Sequence, residues 1–126
     1  MTSWIFPISS EDGTPSPADY LSITLEMHSA TTIVALEGAV CAYTSPYLDA
    51  ELRNIEAVDR HRLIVDASAV RTLTSDGLAV LLDHTDRCAD AGGELVLREP
   101  SPVTQRVLSV CDLEELVEPA DPVPAG

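Results

Sequence analysis

The sequence predicts a small α/β domain, a mixed sheet of four or five strands with helices packed over one face. Three observations carry this reading. Two extended stretches, Leu21–Glu26 and Thr32–Glu37, are joined by a short turn, which makes an antiparallel hairpin. A strand, a helix and a strand follow at Leu63–Val65, residues 75–90 and Glu94–Arg98, which implies a parallel crossover. Ser-Pro pairs at Ser45-Pro46 and Ser101-Pro102 mark two further helix starts, because serine can cap an amide and proline at the first helical position loses only an N–H that had no partner.

In chain order, residues 1–18 are rich in turn formers (Ser9, Ser10, Asp12, Gly13, Thr14, Pro15, Ser16, Pro17) without periodicity, and predict a flexible arm. Its apolar patch, Trp4-Ile5-Phe6, either folds back on the domain or meets a partner. Leu21-Ser22-Ile23-Thr24-Leu25-Glu26 alternates at period two, as a half-buried strand does. His28-Ser29-Ala30 turns, the β-branched Thr32–Glu37 run is the second strand, and Gly38 ends it. Leu48, Leu52 and Ile55 lie on one helical face, leaving Asp49, Glu51 and Arg53 to water. The apolar strand Leu63–Val65 stops at Asp66.

A polar knot from Thr72 to Gly77 then opens the second helix, whose stripe is Leu78, Leu81, Leu82, Thr85 and Cys88 or Ala89. Ala91-Gly92-Gly93 gives it a left-handed stop. Val103, Val107, Leu108 and Cys111 mark the third helix, and Leu116-Val117-Glu118 a short last strand. The domain therefore spans 19–119, and residues 120–126, with two prolines, form a flexible tail.

Composition narrows the function. A chain of 126 residues with 45% apolar content fits one domain with a real core. Its 21 acidic against 7 basic residues give a net charge of −14. That argues against nucleic acid and anionic membranes, and favours basic or mixed-charge protein partners. The apolar runs fall short of the ~20 residues of a membrane-spanning helix. No Lys or Arg precedes the Trp4–Phe6 patch, so no secretion signal is read, and a cytoplasmic location is expected. Cys41, Cys88 and Cys111 are widely spaced and odd in number. They predict buried or half-buried thiols rather than a disulfide framework or a zinc site.

The knot places hydroxyls, a carboxylate and bare amides at a helix start, a place suited to binding or carrying negative charge. Thr74 and Ser75 are candidate caps, which contribute about 1 kcal/mol. Asp76 complements the helix dipole, worth roughly 0.3–1 kcal/mol. Gly77 lets another backbone approach or lets the helix pack on the sheet. Asp66 is expected to fix its loop through amide hydrogen bonds. No catalytic residue is assigned: Ser75, His84 and Asp66 are the residue types of a hydrolytic triad, but His84 stands roughly 13 Å along the helix from Ser75 at 1.5 Å per residue, beyond a general base's reach. His28, His61 and His84 lack metal-ligand spacing, and no phosphate-cradling glycine motif is present. Neither metal nor cofactor is expected.

Asp66-Ala67-Ser68, followed by Leu73-Thr74-Ser75-Asp76-Gly77-Leu78, resembles the D-x-S…D-S-S-G-L signature of the STAS family, the bacterial anti-sigma-factor antagonists. The tail from Gly92-Gly93-Glu94 through Ser101-Pro102-Val103 to Leu113 resembles that family's ending, and the likeness runs from about Leu21 to Glu118. In the family the second serine of D-S-S-G is phosphorylated by a partner kinase. Here Asp76 holds that position, Thr74 holds the aspartate's, and Ser75 is the remaining serine. Val40-Cys41-Ala42 replaces the family's Leu-Asp pair.

The resemblance implies a single STAS-like domain that binds an anti-sigma factor, kinase-like in type, and so releases a sigma factor and regulates transcription. Its partner-binding and switch residues would be Asp66, Thr74, Ser75, Asp76, Gly77 and Leu78, with Ser75 as the site left for phosphorylation. Contact energy is expected around Gly77, Leu78 and Ala79 or Val80, and a tryptophan at position 77 should block docking while sparing the fold. The alternative is a STAS-like scaffold or ligand-sensing module without a sigma-factor role, with a homodimer formed through the Trp4–Phe6 arm.

Overall fold

The structure, a computed structural model, describes residues 16–56 and 62–118. Most of the predicted arm, the bridge with Asp59, Arg60 and His61, and the predicted tail lie outside these residues. A 3-10 turn at Pro17–Asp19 leads into β1 (Leu21–His28), β2 (Thr31–Val40), α1 (Ser45–Glu56), β3 (Arg62–Leu73), α2 (Ser75–Asp90), β4 (Glu94–Arg98) and α3 (Pro102–Val110). A second 3-10 turn, Glu114–Leu116, follows α3. The sheet order is β1-β2-β3-β4, with β1 antiparallel to β2 and the other pairs parallel. The predicted last strand is reduced to one bridge between Val117 and Leu97.

All three helices cover the face formed by Val34, Leu36, Leu63, Val65, Leu95 and Leu97. Leu48 and Leu52 of α1 and Leu108 of α3 are fully or almost fully buried against it. Each such leucine contributes roughly 1.5–3 kcal/mol. On the opposite face Ile64 sits between Ile33 and Val96 of the neighbouring strands. That face carries ion pairs from Arg62 to Glu94 and Glu118, and from Arg98 to Glu118.

Two strands run further than predicted. β2 passes through Gly38 to Val40. At Gly38 φ is +121°, and a Cβ would meet the Tyr20 carbonyl oxygen at 2.1 Å, so only glycine lets the chain continue beside that turn. β3 does not stop at Asp66 but continues to Leu73. It carries an extra residue opposite Ala35–Glu37 and another opposite Gly38–Ala39, two bulges that a polar interruption in sequence hides. Asp66 Oδ1 accepts from the Ser68 amide at 3.0 Å and hydroxyl at 2.8 Å, which fixes the first bulge. The Ala67 carbonyl there accepts the Ser101 amide, tying the bulge to the start of α3.

Helix ends follow the sequence in part. Ser101 Oγ accepts from Thr104 N, and Gly92 takes φ +87° after α2. Ser45 differs from its predicted capping role: it is already helical, and its hydroxyl donates to the Cys41 carbonyl at 2.6 Å.

Candidate functional site

Leaving β3, the chain turns at Thr74. The Thr74 amide donates to the Val40 carbonyl at 3.0 Å, and its hydroxyl oxygen accepts from the Gly77 amide at 3.4 Å. Thr74 is therefore the cap, and Ser75 and Asp76 form the exposed first turn of α2. Gly77 and Leu78 face the other way. A Cβ on Gly77 would lie 2.6 Å from the Val40 carbonyl oxygen and 2.5 Å from its Cγ1. Leu78 is part of the core. The docking energy expected from Gly77 and Leu78 meets buried residues instead: Gly77 packs α2 against Val40 of β2, and Leu78 lies in the core. A tryptophan at position 77 would clash with Val40 and break that packing, so it would not spare the fold.

Beside Asp76 runs a groove of about 470 Å³ lined by Ala42, Ser45, Pro46, Asp49, Asp76 and Val80. The starts of α1 and α2 form its walls. Two carboxylates, Asp49 and Asp76, line it together with the apolar surface of Pro46 and Val80. Pairing such negative charge with a partner's cation steers and orients an encounter. The sequence left Asp49 to solvent, and only the pairing of α1 with α2 brings it beside Asp76; no spacing in the chain signals this.

Cys41 stands just before α1. Its amide donates to the Thr44 hydroxyl at 3.0 Å, and its sulfur lies 3.7 Å from the same oxygen. Chiefly the Thr44 amide, helped by the Thr44 hydroxyl and the Tyr43 amide, lowers the Cys41 thiol below its ordinary value, while partial burial and the Asp76 charge oppose this. Burial instead raises Cys88. Cys41 and Cys88 are half-buried as expected, but Cys111 is exposed at the end of α3.

Asp66 lies in β3 eight residues before Thr74, up to about 26 Å at 3.3 Å per residue. The structure does not bring it to the α2 start. The triad types are likewise apart: Asp66 holds Ser68, while both ring nitrogens of His84 are engaged by Glu56 and Asp49. His84 is fully buried, in line with Leu81 on the helix face. A hydropathy stripe passes over such a histidine, and its carboxylate partners on α1 appear only in three dimensions.

A sequence model of the STAS domain matches residues 22–124. No curated protein matches the chain. Among solved structures, an anti-sigma factor antagonist from Mycobacterium paratuberculosis is similar with a TM-score of 0.71 at 23% identity, covering 86% of this chain and 92% of that one. The anti-sigma factor antagonist SpoIIAA in its unphosphorylated form is similar with a TM-score of 0.69 at 19% identity, over 79% and 89% of the two chains. The phosphorylated form of SpoIIAA from Bacillus gives a TM-score of 0.64 at 20% identity, over 79% and 92%. At these identities the likeness is one of fold. Among the described residues, no helix is long and apolar enough to cross a membrane.

Proposed function

The chain belongs to the STAS domain family, and from that premise we propose that it is an anti-sigma-factor antagonist that docks a kinase-like anti-sigma factor at the α2 start and so releases a sigma factor. The carrying observation is Asp76, exposed on the first turn of α2 with the groove of Asp49 and Val80 at its side. It stands where the resembling family phosphorylates a serine. A phosphate brings about −1.5 to −2 charge and three acceptor oxygens; Asp76 brings one charge and two oxygens, permanently. The partner is therefore one that meets Asp76 and Asp49 with a basic side chain and Pro46 and Val80 with apolar surface. Ser75, also exposed, remains the hydroxyl through which a kinase would add charge beside Asp76 and so change that contact.

The test is calorimetry with the anti-sigma factor captured from the native cytoplasm. Asp76→Lys should weaken binding at least tenfold, and Asp76→Asn should lower the salt dependence of the association. Equal affinity in all three proteins would remove this face from consideration. Phosphate found on Ser75 by mass spectrometry after incubation with kinase and ATP supports the switch; its absence leaves constitutive docking.

A second reading, a scaffold that pairs with its own copy, is favoured by one observation. β1 is an edge strand, and Leu25 and Met27 on it are exposed. Such an edge is a template for strand addition. Light scattering at rising concentration, with Leu25→Lys as control, decides whether that edge pairs.

A further inference from the structure

His84 is the residue that the docking site does not use and the fold has no simple need for. It is fully buried between α1 and α2, with each ring nitrogen against a carboxylate oxygen of α1. Nε2 lies 2.7 Å from Asp49 Oδ1, and Nδ1 contacts Glu56 Oε2. Arg53 holds the second oxygen of Asp49 at 2.9 Å, and Arg87 holds the second oxygen of Glu56 at 3.1 Å. An Asp83 oxygen from α2 lies within 4.8 Å of the Asp49 oxygen and the ring. One turn beyond His84, Cys88 feels the Glu56 charge.

An ionised carboxylate only accepts hydrogen bonds, and a neutral imidazole has one N–H and one lone pair. Both contacts are hydrogen bonds only when the ring carries both protons. The result is a line of alternating charge, Arg53, Asp49, His84, Glu56, Arg87, that crosses between α1 and α2 three times. Take one proton away and a buried lone pair faces a carboxylate oxygen, with repulsion in place of a charge-assisted bond. The His84 hydrogen bond is also the first cause that holds the Asp49 carboxyl below its ordinary range, so Asp49 stays ionised to meet the ring.

Asp49 is at once a partner of His84 and a wall of the groove beside Asp76. We propose that His84 is a proton-dependent latch between α1 and α2: the doubly protonated ring pins Asp49 and Glu56 and fixes the α1 wall of the groove, and loss of a ring proton frees one of the two carboxylates. The latch is closed while the ring carries both protons and opens when it gives one up. Its regulatory meaning rests on the docking reading above, but the device is a property of the chain alone.

The experiment reads that chain without a partner. Ring resonances of His84 and backbone amides of Ala42, Ser45 and Val80 are followed by NMR from acid to alkaline pH in the wild type, Asp49→Asn and His84→Gln. Ring and groove amides should share one midpoint in the wild type, with hydrogen exchange in α1 rising at that same pH. Asp49→Asn, a small change at a partly exposed position, should move the midpoint to lower pH because the ring loses one anionic partner. His84→Gln, if folded, should abolish the groove titration. Groove amides that ignore the ring, a midpoint unmoved by Asp49→Asn, or a ring that never titrates before alkaline unfolding would each overturn the latch. Any of these leaves partner docking at Asp76 standing, since that is measured separately by calorimetry.

Discussion

Gly77 and Val40 are in backbone contact: a Cβ on Gly77 would sit 2.6 Å from the Val40 carbonyl oxygen and 2.9 Å from its carbon. The same carbonyl accepts the Thr74 amide, so it is anchored and cannot swing aside at low cost. Gly77→Ala is therefore expected to destabilise the domain by about 1–3 kcal/mol, in the range of overpacked cores. Gly77→Trp should leave little folded protein. Urea titration by circular dichroism checks both; an alanine variant as stable as the wild type would show that α2 can lift from β2 freely.

The two hydroxyls of the α2 start separate by role. Thr74 Oγ1 accepts the Gly77 amide at 3.4 Å, a long bond, whereas Ser75 is exposed. Thr74→Ala should cost about 0.5–1 kcal/mol, the lower part of the range for lost caps. Ser75→Ala should stay within about 0.5 kcal/mol of the wild type, as surface substitutions do. Thermal or urea unfolding of both variants measures the difference, and a larger loss at Ser75 would exchange the roles.

Periodicity made the architecture legible. Leu48, Leu52 and Ile55, then Leu78 and Leu81, announced two helix faces, and both are buried as their spacing requires. Gly92 and Pro102 marked helix ends, whereas Gly38 did not end β2. What the chain concealed were events between elements. Asp66 looks like a strand end because a carboxylate interrupts an apolar run, yet it fixes a bulge inside a longer strand. Gly77 and Leu78 look like docking residues when read as a loop motif, but packing against Val40 and the core claims them. Asp49, Glu56 and His84 lie far apart in sequence, and only α1 against α2 makes them a unit.

That unit gives the domain an acid-sensitive point. The Asp49 carboxyl is held below its ordinary range, first by its hydrogen bond to His84 and next by that to Arg53. For a carboxyl with a depressed folded value, the stabilisation is fully present above the unfolded value of about 3.9 and is lost as pH falls through the folded one. Stability should therefore decline below about pH 4. Asp49→Asn should flatten that part of the curve of unfolding free energy against pH, measured by urea titration between about pH 2 and 6. A variant whose acid limb has the same slope as the wild type would place the acid sensitivity in other carboxyls.

The thiols offer a last measurement close to the docking face. Only the thiolate is the nucleophile, so a thiol held low by amides reacts at a pH where one raised by burial does not. Cys41, lowered chiefly by the Thr44 amide, should alkylate with iodoacetamide faster than Cys88, which burial raises, in a native time course resolved by peptide mass spectrometry. The Asp76 charge opposes the Cys41 thiolate. Asp76→Asn should therefore speed labelling at Cys41 and leave the Cys88 rate unchanged. The variant thus doubles as a ruler: if neutralising Asp76 does not alter the Cys41 rate, the carboxylate points away from the α1 start, and the groove loses one of its two charged walls.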